Sequence, residues 1–302
     1  MVYLKHAPVL RAKGSDLVDL VQRISTNDVS VLSKGKDVST IFTTEKGRIF
    51  EFVHIVPLEA HDTYLLILAG CYEDNFKEWL SKYIIMEDVE IEQAPVSPGH
   101  WLVHKADFQS NPIPEAVRET LLANRFIAVS EEYRGKIWVR IVDIEGTNRA
   151  DHLLEVLANV DFESFESFDI ARINAGIPFA GKELSESYNP LESMSREYVS
   201  FTKGCYVGQE VIARLDSYRK VSKILVRVEG DGVGILGNLL VDGKDAGSIT
   251  SIMQNDPHSW VGLAYIRGFA LNSDHIQTVG SDGIIRILDA ITPEDIYGVA
   301  HG

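Results

Sequence analysis

The change of texture near Val221 constrains this chain most. Beyond it, apolar residues come in short runs: Ile224–Val228, Leu239–Val241, Gly247–Ile252, Gly262–Ile266 and Ile284–Ile287. Turn pairs such as Asp242–Gly243 and Asp282–Gly283 separate them. Runs this short are strand-length, and Asp-Gly pairs supply the positive φ that hairpin turns need. The pattern predicts a small β-barrel or sandwich over residues 223–302, appended to a region of different character over 1–222.

The upstream region reads as α+β. Helical spacing of apolar residues predicts helices at Ser15–Ile24, capped by Ser15, at Tyr72–Tyr83, and at Phe165–Ala175, which Gly176 and Pro178 end. Two further helices are expected at Ile113–Leu122 and Asn148–Val160. Strands are expected at Thr40–Thr44 and Arg48–Val56 around a Glu45–Lys46–Gly47 turn, and at Thr63–Ala69, which is apolar enough to be buried on both faces. Val89–Gln93, Phe126–Ser130 and Lys136–Ile144 complete the set.

Composition narrows the function classes. Hydrophobic residues make up 45% and charged residues 24% of the 302, enough to build a core. Acidic residues outnumber basic ones, 44 to 29, for a formal charge of −15, so direct nucleic-acid binding is not expected. The start, Met1–Asp16, has no apolar secretory core and no Arg-rich transit character, and no apolar run approaches the roughly 18 residues of a membrane span. A cytoplasmic protein that does not enter membranes is the expectation. Two cysteines, Cys71 and Cys205, fit a reducing compartment. They are too few to hold a zinc ion or an iron–sulfur cluster alone, although they can supply part of a shared site.

The most unusual segment is Lys203-Gly204-Cys205-Tyr206-Val207-Gly208-Gln209-Glu210. Its two glycines permit a tight backbone path, and Gly208 leads into an expected helix, Gln209–Leu215. A lone cysteine is ordinarily a small buried hydrophobe. Here a helix start and Lys203 both favour thiolate over thiol, so Cys205 is a candidate nucleophile, metal ligand or redox group. Glu210 and Arg214 stand one helical turn apart and can pair. Cys71 follows an apolar strand and reads as structural.

Two weaker constellations accompany it. Arg172–Pro178, Gly181–Leu184 and Asn189–Glu192 form a turn-rich stretch whose carboxylates, Glu183, Glu186 and Glu192, read first as a solvated acidic loop. A carboxylate there could also accept the paired donors of an aminopyrimidine-type edge. Thr26–Val29 and Lys46–Arg48 form the other, in which Arg48 is either solvated or positioned to grip a carboxylate. His54, His100 and His104 show no metal spacing and read as surface or satisfied core residues. Asp231–Gly237 only loosely resembles a dinucleotide-binding loop and has no helix after it.

The Lys203–Glu210 block resembles the signature of the YgfZ-type folate-binding proteins, relatives of the glycine-cleavage T-protein, an aminomethyltransferase. The resemblance runs along nearly the whole chain. Leu20–Val29 with Lys46-Gly47-Arg48 is similar to the amino-terminal pattern. Arg172–Pro178 resembles R-x-x-A-G-I-P, and Gly181-x-Glu183-Leu184 with Pro190-x-Glu192 resembles the T-protein's G-x-E-L and P-x-E. Gly247–Ile252 with Gly262–Arg267 is similar to the carboxy-terminal barrel.

The resemblance implies an α+β, three-subdomain cloverleaf around a central channel, with the first two subdomains interleaved in sequence. Tetrahydrofolate, or a one-carbon derivative, would bind in that channel. Members of the group are implicated in making or repairing iron–sulfur clusters, so iron–sulfur enzymes or assembly proteins are the implied partners. Lys203 and Cys205 would be the functional core. Tyr206, Gly208, Gln209, Glu210, Arg214, Glu192, Arg48 and Glu51 would line or order the folate site, with Glu192 on the pterin. Two departures count against aminomethyl transfer. Phe52 follows Glu51 where the T-protein carries a further acid, and Asn174 replaces a glutamate. A folate-binding accessory protein is therefore expected ahead of a tetrahydrofolate-dependent one-carbon transferase, for which Glu51 is the acid–base candidate. A protein-binding scaffold that needs neither folate nor thiol is the third reading.

Overall fold

The computed structural model describes residues 2–6, 8–58, 61–70, 73–94, 99–104, 119, 121, 123, 126–133, 136–143, 165–278 and 283–298. It divides into two compact units that interleave along the chain. The first comprises Met1–Val21, Val29–Ser39 and Val53–Asp169, and the second Gln22–Asp28, Thr40–Phe52 and Ile170–Gly302.

The first unit holds an antiparallel sheet of β1 (Val2–His6), β7 (Gly99–His104), β9 (Lys136–Asp143) and β8 (Phe126–Tyr133), in that order. Leu4 faces Trp101, and Trp101 faces Ile141. The first unit also holds a sheet of the Val53–Pro57 end of β4 (Ile49–Pro57), β5 (Thr63–Leu68), β2 (Val9–Lys13) and β6 (Glu90–Gln93), while most of β3 (Val38–Thr43), the neighbour of β4, is counted with the second unit. Every residue of β5 is buried, as its unbroken apolar run requires. Val9, Val56, Leu65 and Ile67 pack there with Ala94. The helix α1 (Leu17–Ile24) buries Leu17, Leu20, Val21 and Ile24 along one stripe. Ser15, expected as its cap, places its hydroxyl 3.0 Å from Asp88 Oδ2. The helix α2 spans Glu73–Ser81. Cys71 and the helix expected at 148–160 lie outside the described residues. So does the helix expected at 113–122, apart from 119 and 121, which are helical.

The second unit is built on a closed barrel. Its strands are β10 (Lys223–Asp231), β11 (Gly237–Val241), β12 (Lys244–Asp256), β13 (Ser259–Arg267), β14 (Ile276–Thr278) and β15 (Ile284–Ile287). They close in the order β10-β13-β12-β11-β14-β15, and Val228 of β10 pairs Ile287 of β15 to seal the ring. Val226, Val228, Leu239, Ile249, Ile266, Ile276 and Ile285 belong to its buried core cluster. Burying each such side chain contributes about 1.5–3 kcal/mol, which makes this core the main anchor of the unit. Asp231 ends β10 and Gly237 opens β11 with no helix after them, so the loosely dinucleotide-like loop is a barrel connection.

The helix α3 (Phe165–Ala175) has the expected bounds and delivers Arg172 into this unit. A nine-residue helix, α4 (Gln209–Ser217), follows the Lys203–Glu210 block, and a short capped helix, α5 (Pro293–Tyr297), follows the barrel. No helix among the described residues is long and apolar enough to cross a membrane.

Candidate functional site

The Lys203–Glu210 loop is fastened at both ends. At its start, Lys203 Nζ donates to the backbone carbonyls of Ser25, at 2.8 Å, and Asn27, at 2.5 Å. These carbonyls belong to the Ser25–Asp28 bend. Buried Thr26 holds that bend by donating to Tyr198 O at 2.6 Å and accepting from Ile41 N at 3.2 Å. Burial brings Lys203 down from 10.5 to about 8, with the Asp28 carboxylate opposing the fall. At the loop's far end Gly208 adopts φ +82°, and a Cβ there would stand 2.6 Å from Thr43 Oγ1 and from Thr44 O. Both the conformation and the space demand glycine. Thr43 Oγ1 donates to Val207 O at 2.6 Å and closes the same contact. The turn at Gly47 is the facing surface: it also has positive φ, and its Cα lies 3.0 Å from where that Cβ would sit.

Between the two fastenings Cys205 is exposed. It lies three residues before Gly208, the N-cap of α4, rather than on the helix itself. Gly204 beside it has open space where a Cβ would stand, so the fold does not require glycine there. Tyr206 points the other way. It is buried with Leu191, Val199 and Ile212, and burial together with Asp216 pushes its hydroxyl up to about 12. Gln209 is half-buried at the helix start. Glu210 and Arg214 pair at 3.1 Å, largely exposed, as the one-turn spacing predicts.

The acidic stretch differs from the solvated loop expected of it. Only Glu186 is exposed; Glu183 and Glu192 are buried. An Asx-type turn sets Glu192, because Asn189 Oδ1 accepts from the backbone N–H of both Leu191 and Glu192 at 3.0 Å. Glu192 Oε2 accepts from Arg48 Nη1 and Asn189 N, each at 3.1 Å, and Oε1 accepts from Ser222 Oγ at 2.8 Å. Three of about four acceptor positions on that carboxylate are filled. Glu183 completes a second buried set. Its Oε2 lies 3.4 Å from Arg172 Nη1 and 2.8 Å from Phe179 N, while Ser251 Oγ donates to Oε1 at 2.7 Å. Arg172 also donates to Ser251 Oγ at 2.8 Å, and neither member of the ion pair is exposed. Buried charges persist only when paired and hydrogen-bonded, which explains why these residues move out of solvent together.

No family model matches the chain. A chloroplastic protein of Arabidopsis thaliana, provisionally named a transferase, is 25% identical over 299 residues, which cover 93% of this chain and 68% of its own. The tRNA-modifying protein YgfZ of Yersinia pestis is 25% identical over 308 residues, 91% of this chain and 84% of its own. Among solved structures, the glycine cleavage system aminomethyltransferase T of Bartonella henselae matches with a TM-score of 0.74 at 16% identity, over 98% of this chain and 87% of that one. The chain is thus similar to YgfZ-type proteins and shares the fold of the aminomethyltransferase T-protein.

Glu51 and Phe52 are both buried. Glu51 Oε1 accepts the Phe52 backbone N–H at 3.0 Å. The Phe52 ring meets Tyr198 edge-to-face, with centroids 4.8 Å apart. His54 is buried, its Nδ1 2.7 Å from Ser39 Oγ and its Nε2 3.1 Å from Asp37 Oδ2. The Ser25–Asn27 carbonyls are the site atoms that sequence reasoning missed. They are backbone acceptors without a side-chain signature. Among the described residues no group of three or more His, Cys, Asp or Glu could hold a metal ion.

Proposed function

We propose that the chain is a tetrahydrofolate-binding accessory protein that supports assembly or repair of iron–sulfur clusters in other proteins, with Cys205 as its reactive group. The observation that carries this reading is the exposed Cys205 on a loop fixed at Lys203 and again at Gly208. A thiol held in place on a rigid loop can meet an incoming cluster or persulfide-type donor without first ordering its backbone. A cluster is cargo in this scheme. Cys205 would give it one soft ligand, and the rest of its ligands would come from the client.

Folate suits the remaining residues in part. The acceptor position left on Glu192 can take one pterin N–H; a second would require Ser222 or Arg48 to let go. Bound folate would supply a one-carbon carrier, while this chain's residues orient it and exclude water. The transferase names of the relatives favour one-carbon transfer as the second reading, with Glu51 as its acid–base group.

Calorimetric titration with tetrahydrofolate under anaerobic, reducing conditions tests the ligand. Saturable one-site binding is expected, and its absence at high micromolar folate would leave the scaffold reading. Cys205→Ala tests the thiol. It should keep wild-type stability, because Cys205 is exposed, while client iron–sulfur enzymes in cells lose activity. Full client activity in that variant refutes the role given to Cys205.

A further inference from the structure

Lys223 opens β10 and Arg267 ends β13, and the ladder sets their Cα atoms directly opposite each other. Like charges in that position repel. Arg267 is answered by Asp245, whose Oδ2 lies 2.6 Å from Nη2 and 3.1 Å from Nε. Lys223 has no such partner. Its ammonium lies over the Tyr188 ring, 4.3 Å from the centroid, and 5.5 Å from that of Tyr265. Those two rings stack at 3.5 Å and are nearly buried. Among the described residues no carboxylate lies within ion-pair distance of Lys223 Nζ.

Ring faces attract a cation but do not use its three N–H donors as oxygen acceptors would. Burial lowers the Lys223 pKa, and Arg48 and Arg267 lower it further, against Glu192 and Asp245. Three cations thus surround two carboxylates, a local excess of positive charge on a chain of formal charge −15. Arg48 bonds Ser187 O and Glu192 through Nη1 alone, and Arg267 bonds Asp245 through Nε and Nη2. Guanidinium donors therefore remain on both Arg48 and Arg267.

We propose that Lys223, flanked by Arg48 and Arg267 on the Tyr188–Tyr265 stack, is a binding site for a doubly charged oxyanion of the phosphate class. Clustered oxygens can accept from the ammonium and from a guanidinium together, which a single-point anion cannot do. An empty site of this kind costs the fold stability, and the bound anion restores it.

Thermal unfolding and calorimetry with inorganic phosphate, at constant low ionic strength, test the site in the full chain. The wild type should bind phosphate saturably and unfold at a higher temperature with it. Lys223→Met preserves the packing over the rings; it should lose at least tenfold in phosphate affinity and be no less stable than wild type in phosphate-free buffer. Lys223→Arg keeps the charge and should retain most of the binding. Absent saturation in the wild type, or equal affinity in Lys223→Met, overturns the proposal. Tetrahydrofolate added to the same titration identifies the source of the oxyanion. Competition assigns it to the two carboxylates of folate's glutamate tail and independent binding to a separate phosphate compound, and either result upholds the site.

Discussion

Replacing Lys203 by Met should change how stability depends on pH more than it changes stability at neutrality. At pH 7 the two effects of the substitution oppose each other. It removes the donor to the Ser25 and Asn27 carbonyls, and a buried acceptor left without a partner costs about 1–3 kcal/mol. It also removes a desolvated charge. In the folded chain Lys203 titrates at about 8 against 10.5 unfolded. Below pH 8 both states are protonated, and folding bears the whole cost of the buried ammonium. From pH 8 to 10.5 the unfolded chain holds more protons, so stability rises with pH. At about 1.4 kcal/mol per pH unit the full shift corresponds to about 3 kcal/mol. Lys203 is only partly buried, and solvent screening reduces the expected gain to about 1–2 kcal/mol. Tyr206 acts in the opposite sense at higher pH, since its folded value of about 12 exceeds its ordinary value of 10.0, and comparison with the variant offsets it. Urea unfolding of wild type and Lys203→Met at intervals from pH 7 to 10.5 reads the difference. Wild type should gain on the variant as pH rises. Curves that stay parallel to within about 0.5 kcal/mol would refute the desolvation argument, since a one-unit shift alone exceeds that.

Gly208→Ala should cost about 2–4 kcal/mol, because it combines left-handed strain with an overlap on Thr43 and Thr44, whereas Gly204→Ala should leave the urea midpoint unchanged. A comparable loss in both variants would remove the special role given to the Gly208 contact. Glu183→Ala takes the Glu183 carboxylate from the buried Arg172 guanidinium and leaves Phe179 N–H without its acceptor, and should cost about 3–5 kcal/mol, read by chemical denaturation. A loss under about 1 kcal/mol would mean that the chain rearranges to hydrate Arg172.

The strands that sequence alone placed best were those whose partners lie near in the chain. In the barrel, short apolar runs mark β11, β12 and β13, with the Asp242–Gly243 turn between the first two, and Gly176 with Pro178 marks the end of α3. β1, β2 and β7 escaped notice. β1 pairs β7 almost a hundred residues away, as Leu4 with Trp101, and such pairing leaves no local trace. The site divides along the same line. The block around Cys205 stood out because its glycines and lysine are unusual together. The burial of Glu183 and Glu192 did not, because their neutralising partners, Arg172 with Ser251 and Arg48 with Ser222, are brought in by other segments. Carboxylates in a turn-rich stretch look solvated until those segments are known.

The interleaving of the chain has a consequence for its synthesis. The unit that displays Cys205 uses Gln22–Asp28 and Thr40–Phe52, then nothing until Ile170. At about 5–20 residues per second, those early pieces leave the ribosome roughly 6–25 s before the rest of their unit exists. The carbonyls that receive Lys203 precede it by 176 and 178 positions. A nascent chain therefore cannot fasten its thiol loop until Lys203 has been made, and chaperone protection of the early segments during that interval should govern the yield of competent protein.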